Sequence, residues 1–525
     1  MAEGDRVAGV PRSPGEPAKR LLTELTPPNG TDPVSSPPRI LFLNQSYWPD
    51  GQATGRLLTQ LCEDLAARDP RTDDPLEIRV VAGPPKVLED GAKPPAKRET
   101  TRNGVRIDYV GRRRPARQGE PGKESKPSTL SRVLGMVYFT VATVWRTLTL
   151  PRPDVVVTET DPFFLPLVGW MLKRRHGCRF VAYLQDLYPD VAVAVDKVRE
   201  GFVTRLIRRM LWAAYRRADR IVVLSDDMLE RCVANGADRE RCVVIPNWTD
   251  TESIVPETMP TELAAARGWE GKFVVMYSGN HGMAHEFGPI VEAADRLRDR
   301  PEIVFAMVGG GVRRRAIFAE AEARGLENIV ALPHQPGDRL SDSLGTGHVH
   351  LLSVRPDAID CVAPSKLYGI MAAARPTLAL LRPSSSCAEL IRSEALGVVC
   401  DVTQPEVCAE QLVDAILMLQ SDPDLRGRMG DRARRLAVDE FSRSRLTATF
   451  GELLDHLALE GRPMPAARIA DRIRETDRTR EPVAAGDAIV DSDPELVANA
   501  YASGPIPRKP AAAAASARTS RRSAT

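Results

Sequence analysis

What this 525-residue sequence lacks excludes several classes of protein before any motif is weighed. It has no charge excess: 72 Lys+Arg against 70 Asp+Glu leave a formal net charge of +2. Bulk attraction to nucleic acid, which draws on surplus basic side chains, is therefore not indicated. Local clusters such as RRRPAR from Arg112 and RTSRRS near the end read as solvated loop and tail. The eight cysteines (62, 178, 232, 242, 361, 387, 400, 408) contain no C-x-x-C, and the seven histidines are scattered. A structural zinc site is not expected, and buried reduced thiols in a cytoplasmic protein are. The opening MAEGDRVAGVPRSPGEPAKR has no apolar h-region, so secretion is not indicated. Long apolar runs are missing too. The best, VLGMVYFTVATVWRTLTL at 133–150, meets Arg146 after 13 residues, short of the ~20 a spanning helix needs. It reads as a core helix or as a helix resting at a membrane interface, the latter helped by Trp145 and by Trp170 in FLPLVGWMLKRRHG.

What is present is an alternation of buried strands and helices between two polar ends. Residues 1–37 and the stretch from 461 to 525 are rich in Pro, Gly, Ser, Ala and charge and read as disordered, and 113–128 reads as a polar Pro/Gly-rich internal loop. Between them, RILFLN, IRVVAG, DVVVTE, RFVAYL, RIVVLS and CVVIPN form one strand series. FVVMYSGN, EIVFAMVGGG, NIVALP, HVHLLS, TLALLR and LGVVCD form a second, with helices expected near 287–299, 312–324, 385–394 and 406–420. Continuous apolar strands alternating with helices predict parallel sheets with right-handed crossovers. The fold class is α/β: two facing Rossmann-like domains, 38–250 and 251–440. A helix at 441–460 is a candidate to return to the first domain. A ligand would lie in the cleft at the strand carboxyl ends.

Four loops fall at those ends. NQSYWPDGQATGR carries Gly51 and Gly55 around a helix start, where backbone amides can approach an anion. Ordinary turn chemistry accounts for a glycine pair equally well. YLQDLYPDVAV places Asp186 just after a buried strand, while Asp190 after Pro189 reads as a helix cap or a cleft residue. YSGNHGMAHEF offers Gly279, Asn280, His281 and His285 at a glycine-rich strand end. CVAPSKLYGIMAAARP raises a sharper question. Ser365 suits an N-cap, and Lys366 then adds a cation to a helix end that is already positive. That is poor structure unless an anion binds there. MVGGGVRRR at 307–315 lacks the G-x-G-x-x-G spacing and reads as a close strand-to-helix turn.

Taken in order, LNQSYWPDGQATGRLLTQL, DVVVTETDPFFLPLVGWMLKRRHGCRFVAYLQDLYPD, VVIPNWTD, MYSGNHGMAHEF, PHQP and PSKLYGIMAAARP make the chain resemble the retaining glycosyltransferases of family 4. The likeness spans Arg39 to Leu457 and is strongest to the subgroup that builds bacterial surface and extracellular polysaccharides. It implies the GT-B architecture, with the nucleotide-sugar on the second domain and the acceptor on the first. It implies that Gly51 to Gly55 close over the donor phosphates and that Asp186 is an active-site residue. Asn280 and His285 take the places of an Arg/Lys pair on the diphosphate, and Pro333, His334 and Gln335 line the base. Ser365, Lys366 and the following turn lie under the phosphates and ribose, with Lys366 catalytic.

Two departures accompany the likeness. The family's paired glutamates, eight residues apart, fall on Cys361 and Gly369, and the Arg/Lys pair is replaced. The expected activity is transfer of a sugar, with UDP the expected carrier, to a lipid-linked or polysaccharide acceptor with retention. No cofactor and no required metal are expected. The expected location is the cytoplasm, against the inner face of the cell membrane, with peripheral contact. A catalytically inactive scaffold homologue and a nucleotide-sugar epimerase of the same fold are the alternatives.

Overall fold

The computed structural model describes residues 37–68, 75–85, 88, 92–95, 97–111 and 129–460. The segments expected to be disordered, 1–37 except Pro37 and 461–525, and the expected internal loop at 113–128 lie outside the described residues. The aliphatic runs become strands. In the first domain they are β1 (Arg39–Leu43), β2 (Glu77–Ala82), β3 (Glu99–Arg102), β4 (Val105–Tyr109), β5 (Val155–Thr158), β6 (Arg179–Tyr183), β7 (Arg220–Val223) and β8 (Cys242–Val244). They form one eight-stranded sheet in the order β3-β4-β2-β1-β5-β6-β7-β8, parallel except for the β3–β4 hairpin. The second domain is a six-stranded, all-parallel sheet. Its strands are β9 (Phe273–Ser278), β10 (Ile303–Val308), β11 (Ile329–Leu332), β12 (Val349–Ser353), β13 (Thr377–Leu381) and β14 (Gly397–Asp401), in the order β11-β10-β9-β12-β13-β14. Two parallel-sheet α/β domains in tandem are the GT-B arrangement.

Parallel strands in register bring their exit loops to one edge. Leu43 of β1 pairs with Val81 of β2 and Thr158 of β5, so the segments after β1 and β5 leave side by side. The domains meet through two such loops: the Leu187 amide donates to the Cys361 carbonyl at 2.9 Å, and Asp186 bridges Val362. A third link runs from the Ser386 amide and hydroxyl to the Asp227 carboxylate, at 2.9 and 2.7 Å. The helix Arg443–Asp455 packs back on the helix Ala53–Ala66 of the first domain. Arg443 pairs there with Asp64 (2.6 Å) and Arg68 with Asp455 (2.7 Å), while Phe450 packs at a tilt against Tyr183 with ring centroids 5.0 Å apart.

Two elements depart from expectation. The hairpin β3–β4 was not anticipated, although Asn103 (φ 45°) and Gly104 (φ 81°) form the left-handed Asn-Gly turn such hairpins favour. All but the last residue of the run at 133–150 lies within a 21-residue helix, Thr129–Thr149, and the core-helix reading fails along one face of it. Leu134 is 58% exposed and Trp145 70%, whereas the buried face carries Phe139, Thr143 and Thr147. Among the described residues no helix is long and apolar enough to cross a membrane. Trp170 is half-buried with the Arg217 guanidinium 4.8 Å over its ring, and Lys173 is paired with Asp219 at 2.8 Å, so neither is free at the surface. All eight cysteines are buried and unbridged.

Candidate active site

Lys366 opens the helix Lys366–Ala372, but the cap expected of Ser365 does not form. Ser365 already has helical dihedrals, and its side chain caps no amide. The anion argument therefore moves from the helix end to the lysine itself. Its stem crosses Gly279 (φ +134°), where a Cβ would stand 2.6 Å from Lys366 Cε. Its ammonium lies 3.1 Å from His285 Nε2 and 5.3 Å from the Tyr277 ring centroid.

The tautomer of His285 follows from its other nitrogen. Nδ1 sits 2.6 Å from the Ser353 carbonyl, which can only accept, so Nδ1 carries the proton and Nε2 accepts from Lys366. Burial and the adjacent Lys366 charge lower His285 to about 3, which keeps it neutral. The lysine is thus held by a neutral acceptor, and no carboxylate among the described residues forms an ion pair with it. Burial lowers its own pKa to about 8. A desolvated ammonium left uncompensated is stabilised by any anion that reaches it.

His281 is placed differently from His285. It is fully buried, its Nδ1 lies 3.1 Å from the Gly310 carbonyl, and its ring stacks on Phe287. Burial lowers it to about 4, and it reaches the cleft only through the backbone it fixes. Its amide donates to Gly310 (2.6 Å) and its carbonyl accepts from the Arg313 amide (3.0 Å), tying the loop after β10 to the loop after β9. Asn280 is exposed on the same loop, its carbonyl accepting from the Tyr277 hydroxyl at 2.9 Å. Gly309 (φ +112°) approaches so closely that a Cβ there would overlap the Gly279 carbonyl oxygen. Gly309→Ala is expected to cost about 1–3 kcal/mol of stability by combining left-handed strain with that overlap, read as a lowered urea midpoint.

On the facing domain, the Asp186 amide donates to Thr160 Oγ1 at 3.3 Å. Burial and, secondarily, the Asp161 carboxylate push Asp186 up to about 6, with Lys197 opposing. Asp190, in contrast, is committed to Arg208 (2.7 Å) and lies 3.6 Å from Arg231. Two acids missed in the sequence lie on the neighbouring loop: Asp161, which acts on Asp186 and accepts from Ser46 Oγ at 2.6 Å, and behind it Glu159, fully buried and pushed well up by burial. Both follow a fully buried strand, the same signal that singles out Asp186. Gly55 is packed within its own loop, 3.2 Å from a virtual Cβ to the Asp50 carbonyl, while Gly51 precedes it half-buried. His334 and Gln335 sit on the loop after β11 and make only local bonds, to the Gln335 and Pro333 carbonyls.

The structure therefore brings Gly279, His285 and Lys366 together, with His281 behind them, and sets Asp186 on the loop that bridges Val362. His334 and Gln335 make no hydrogen bond with that group. At Gly369 a Cβ would meet only Leu344 Cδ1, at 3.7 Å. Gly369→Ala is expected to fit and to stabilise the helix by ~0.5–1 kcal/mol, checked by a rise in melting temperature.

Comparison with known proteins now adds to this geometry. Residues 53–248 match the model of the glycosyl transferase 4-like domain. The likeness falls on the first domain. Over 350 residues the chain is 28% identical to WcaI of Escherichia coli (strain K12), named for a glycosyl transferase of colanic acid biosynthesis, covering 64% of this chain and 81% of that one. Among solved structures, sucrose-phosphate synthase from Thermosynechococcus elongatus superposes with a TM-score of 0.60 at 14% identity, covering 80% of this chain and 99% of that one. Anabaena Alr3699/HepE in complex with UDP-glucose superposes at 0.56 and 15% identity, covering 80% and 100%. At these identities the structural matches bear on the fold alone.

Proposed function

We propose that the chain is a glycosyltransferase that moves a sugar from a nucleotide-sugar, with UDP as carrier, to a lipid-linked or polysaccharide acceptor. The transfer proceeds with retention at the anomeric carbon, in the assembly of cell-surface or extracellular polysaccharide. The observation that carries this reading is the Lys366 ammonium, desolvated, aimed by neutral His285 and without a counter-charge. As the sugar–phosphate bond breaks, charge grows on the departing diphosphate. A pre-placed cation stabilises that charge without reorganising. Asp186 is the carboxylate on the acceptor side, able to accept a hydrogen bond from an attacking hydroxyl. The glycosyl transferase 4-like match and the WcaI relative support the same class of reaction.

Docking on the inner face of the cytoplasmic membrane belongs to this proposal, supported by the apolar face of Thr129–Thr149 that the domain leaves uncovered. The deciding experiment incubates the protein with a panel of UDP- and GDP-sugars and follows nucleotide release with and without a membrane lipid extract. Release from one donor, accelerated by lipid, is expected. Absence of release from every donor, with no binding of UDP, would leave an inactive scaffold. Conversion of the donor sugar without any acceptor would identify an epimerase.

A further inference from the structure

The helix Phe202–Tyr215 takes no part in the site described above. Its residues divide into arcs at helical spacing. Thr204, Leu211, Ala214 and Tyr215 are buried against the domain. Phe202, Val203, Leu206 and Met210 face out, Phe202 at 79% exposure and Val203 at 66%. Between these arcs, Arg205, Arg209, Trp212 and Arg216 follow at i, i+4, i+7 and i+11 and line one recess with Arg208 and Asn235.

The charge in that recess is only partly matched. Arg208 is committed to Glu200 (2.7 and 2.8 Å) and to Asp190 (2.7 Å). Arg205 and Arg216 donate to the Gly201 and Asn235 carbonyls, at 3.4 and 3.0 Å, and no carboxylate among the described residues pairs with them or with Arg209. Trp212 is 3% exposed, and its indole N–H is buried with no acceptor. Arg205 is near enough to Glu200 to help lower that carboxyl, but the exposed guanidinium groups at 205, 209 and 216 form ion pairs with no carboxylate among the described residues, so this face attracts anions.

The apolar arc selects the source of the anion. A free phosphate would engage the arginines but leave Phe202, Val203, Leu206 and Met210 in water. A phosphate at a membrane surface satisfies both arcs at once. The helix Leu165–His176 packs against both this helix and Thr129–Thr149, so the second exposed apolar face, around Leu134 and Trp145, belongs to the same helical layer.

We infer that the recess of Arg205, Arg209, Trp212 and Arg216 binds the phosphate headgroup of an anionic lipid, with Phe202, Val203, Leu206 and Met210 inserted into the adjoining acyl boundary. This deepens the membrane-side part of the proposed function and rests on it, but not on the chemistry at Lys366.

The test is co-sedimentation of the full chain with phosphatidylcholine vesicles, with and without phosphatidylglycerol. The expected result is binding to the anionic vesicles, weakened on the order of 100-fold by the combined Arg205→Gln, Arg209→Gln and Arg216→Gln substitutions. The combined Phe202→Ser and Leu206→Ser substitutions remove the exposed apolar arc and are expected to weaken binding about tenfold. Wild-type protein that ignores both vesicle types would overturn the site and the membrane reading together. Anionic binding unchanged in both variants would overturn the headgroup site alone and leave membrane docking standing. Inorganic phosphate that titrates the lipid-free protein as tightly as the anionic vesicles would overturn the lipid assignment. Nucleotide release from a UDP-sugar, measured without vesicles, reports separately on the transferase reading, and Lys366→Ala should leave vesicle binding intact.

Discussion

Lys366→Ala is expected to weaken donor binding by about 10- to 150-fold, because a charge-assisted bond of ~1.5–3 kcal/mol is lost at ~1.4 kcal/mol per decade. The assay is titration with a UDP-sugar, followed calorimetrically. The pH dependence supplies a second check. With its pKa lowered to about 8 in the free protein, Lys366 is charged below that pH and loses the proton above it. Donor affinity should therefore be full below pH 8 and fall as pH rises through it, since the diphosphate favours the ammonium. Lys366→Arg should restore part of the affinity and abolish the alkaline fall, because a guanidinium stays charged but presents a fork in place of a point. Undiminished affinity in the alanine variant would remove Lys366 from the donor site.

Asp186→Asn is expected to lower turnover by ~10²-fold or more while leaving donor affinity within a few-fold, since the residue faces the acceptor side. Its pKa, pushed up to about 6 by burial, sets the direction. The carboxylate form is present above pH 6 and is protonated as pH falls through it, so wild-type turnover should drop on the acid side. The asparagine variant should show a flat acid limb. A wild-type acid limb retained in the variant would assign that limb to a group other than Asp186.

Much of the architecture was legible because burial on both faces leaves parallel strands as unbroken aliphatic runs, as in FVVMYS of β9. The strand β3 escaped because ETTR has no apolar residue: it is an edge strand, and its stability comes from pairing with β4. The helix Thr129–Thr149 misled for the opposite reason. Its apolar residues are so continuous that no face stands out, and its interior side carries threonines while Trp145 points out. At the site, Lys366 was legible as a charge in the wrong place. Its partner His285 was marked as a candidate, but the geometry that makes it a neutral acceptor depends on Ser353, 68 residues away, which no local pattern encodes. Glu159 and Asp161 follow β5 as Asp186 follows β6, but their placement depends on contacts such as Ser46 to Asp161, 115 residues apart, which no local pattern encodes.

The returning C-terminal helix also determines how the cleft can open. The chain crosses between domains twice, after β8 and again ahead of Arg443. The two crossings are laced together: the Thr249 amide donates to the Phe441 carbonyl and the Arg443 amide to the Thr249 carbonyl, each at 2.9 Å. A single tether would let one domain swivel and twist over the other. Two strands bonded side by side behave instead like the pin of a door, stiff in torsion and free to fold about one axis. Opening and closing of the cleft then become the same arc travelled in opposite directions, and each closure restores the same contact between the loops of Leu187 and Cys361.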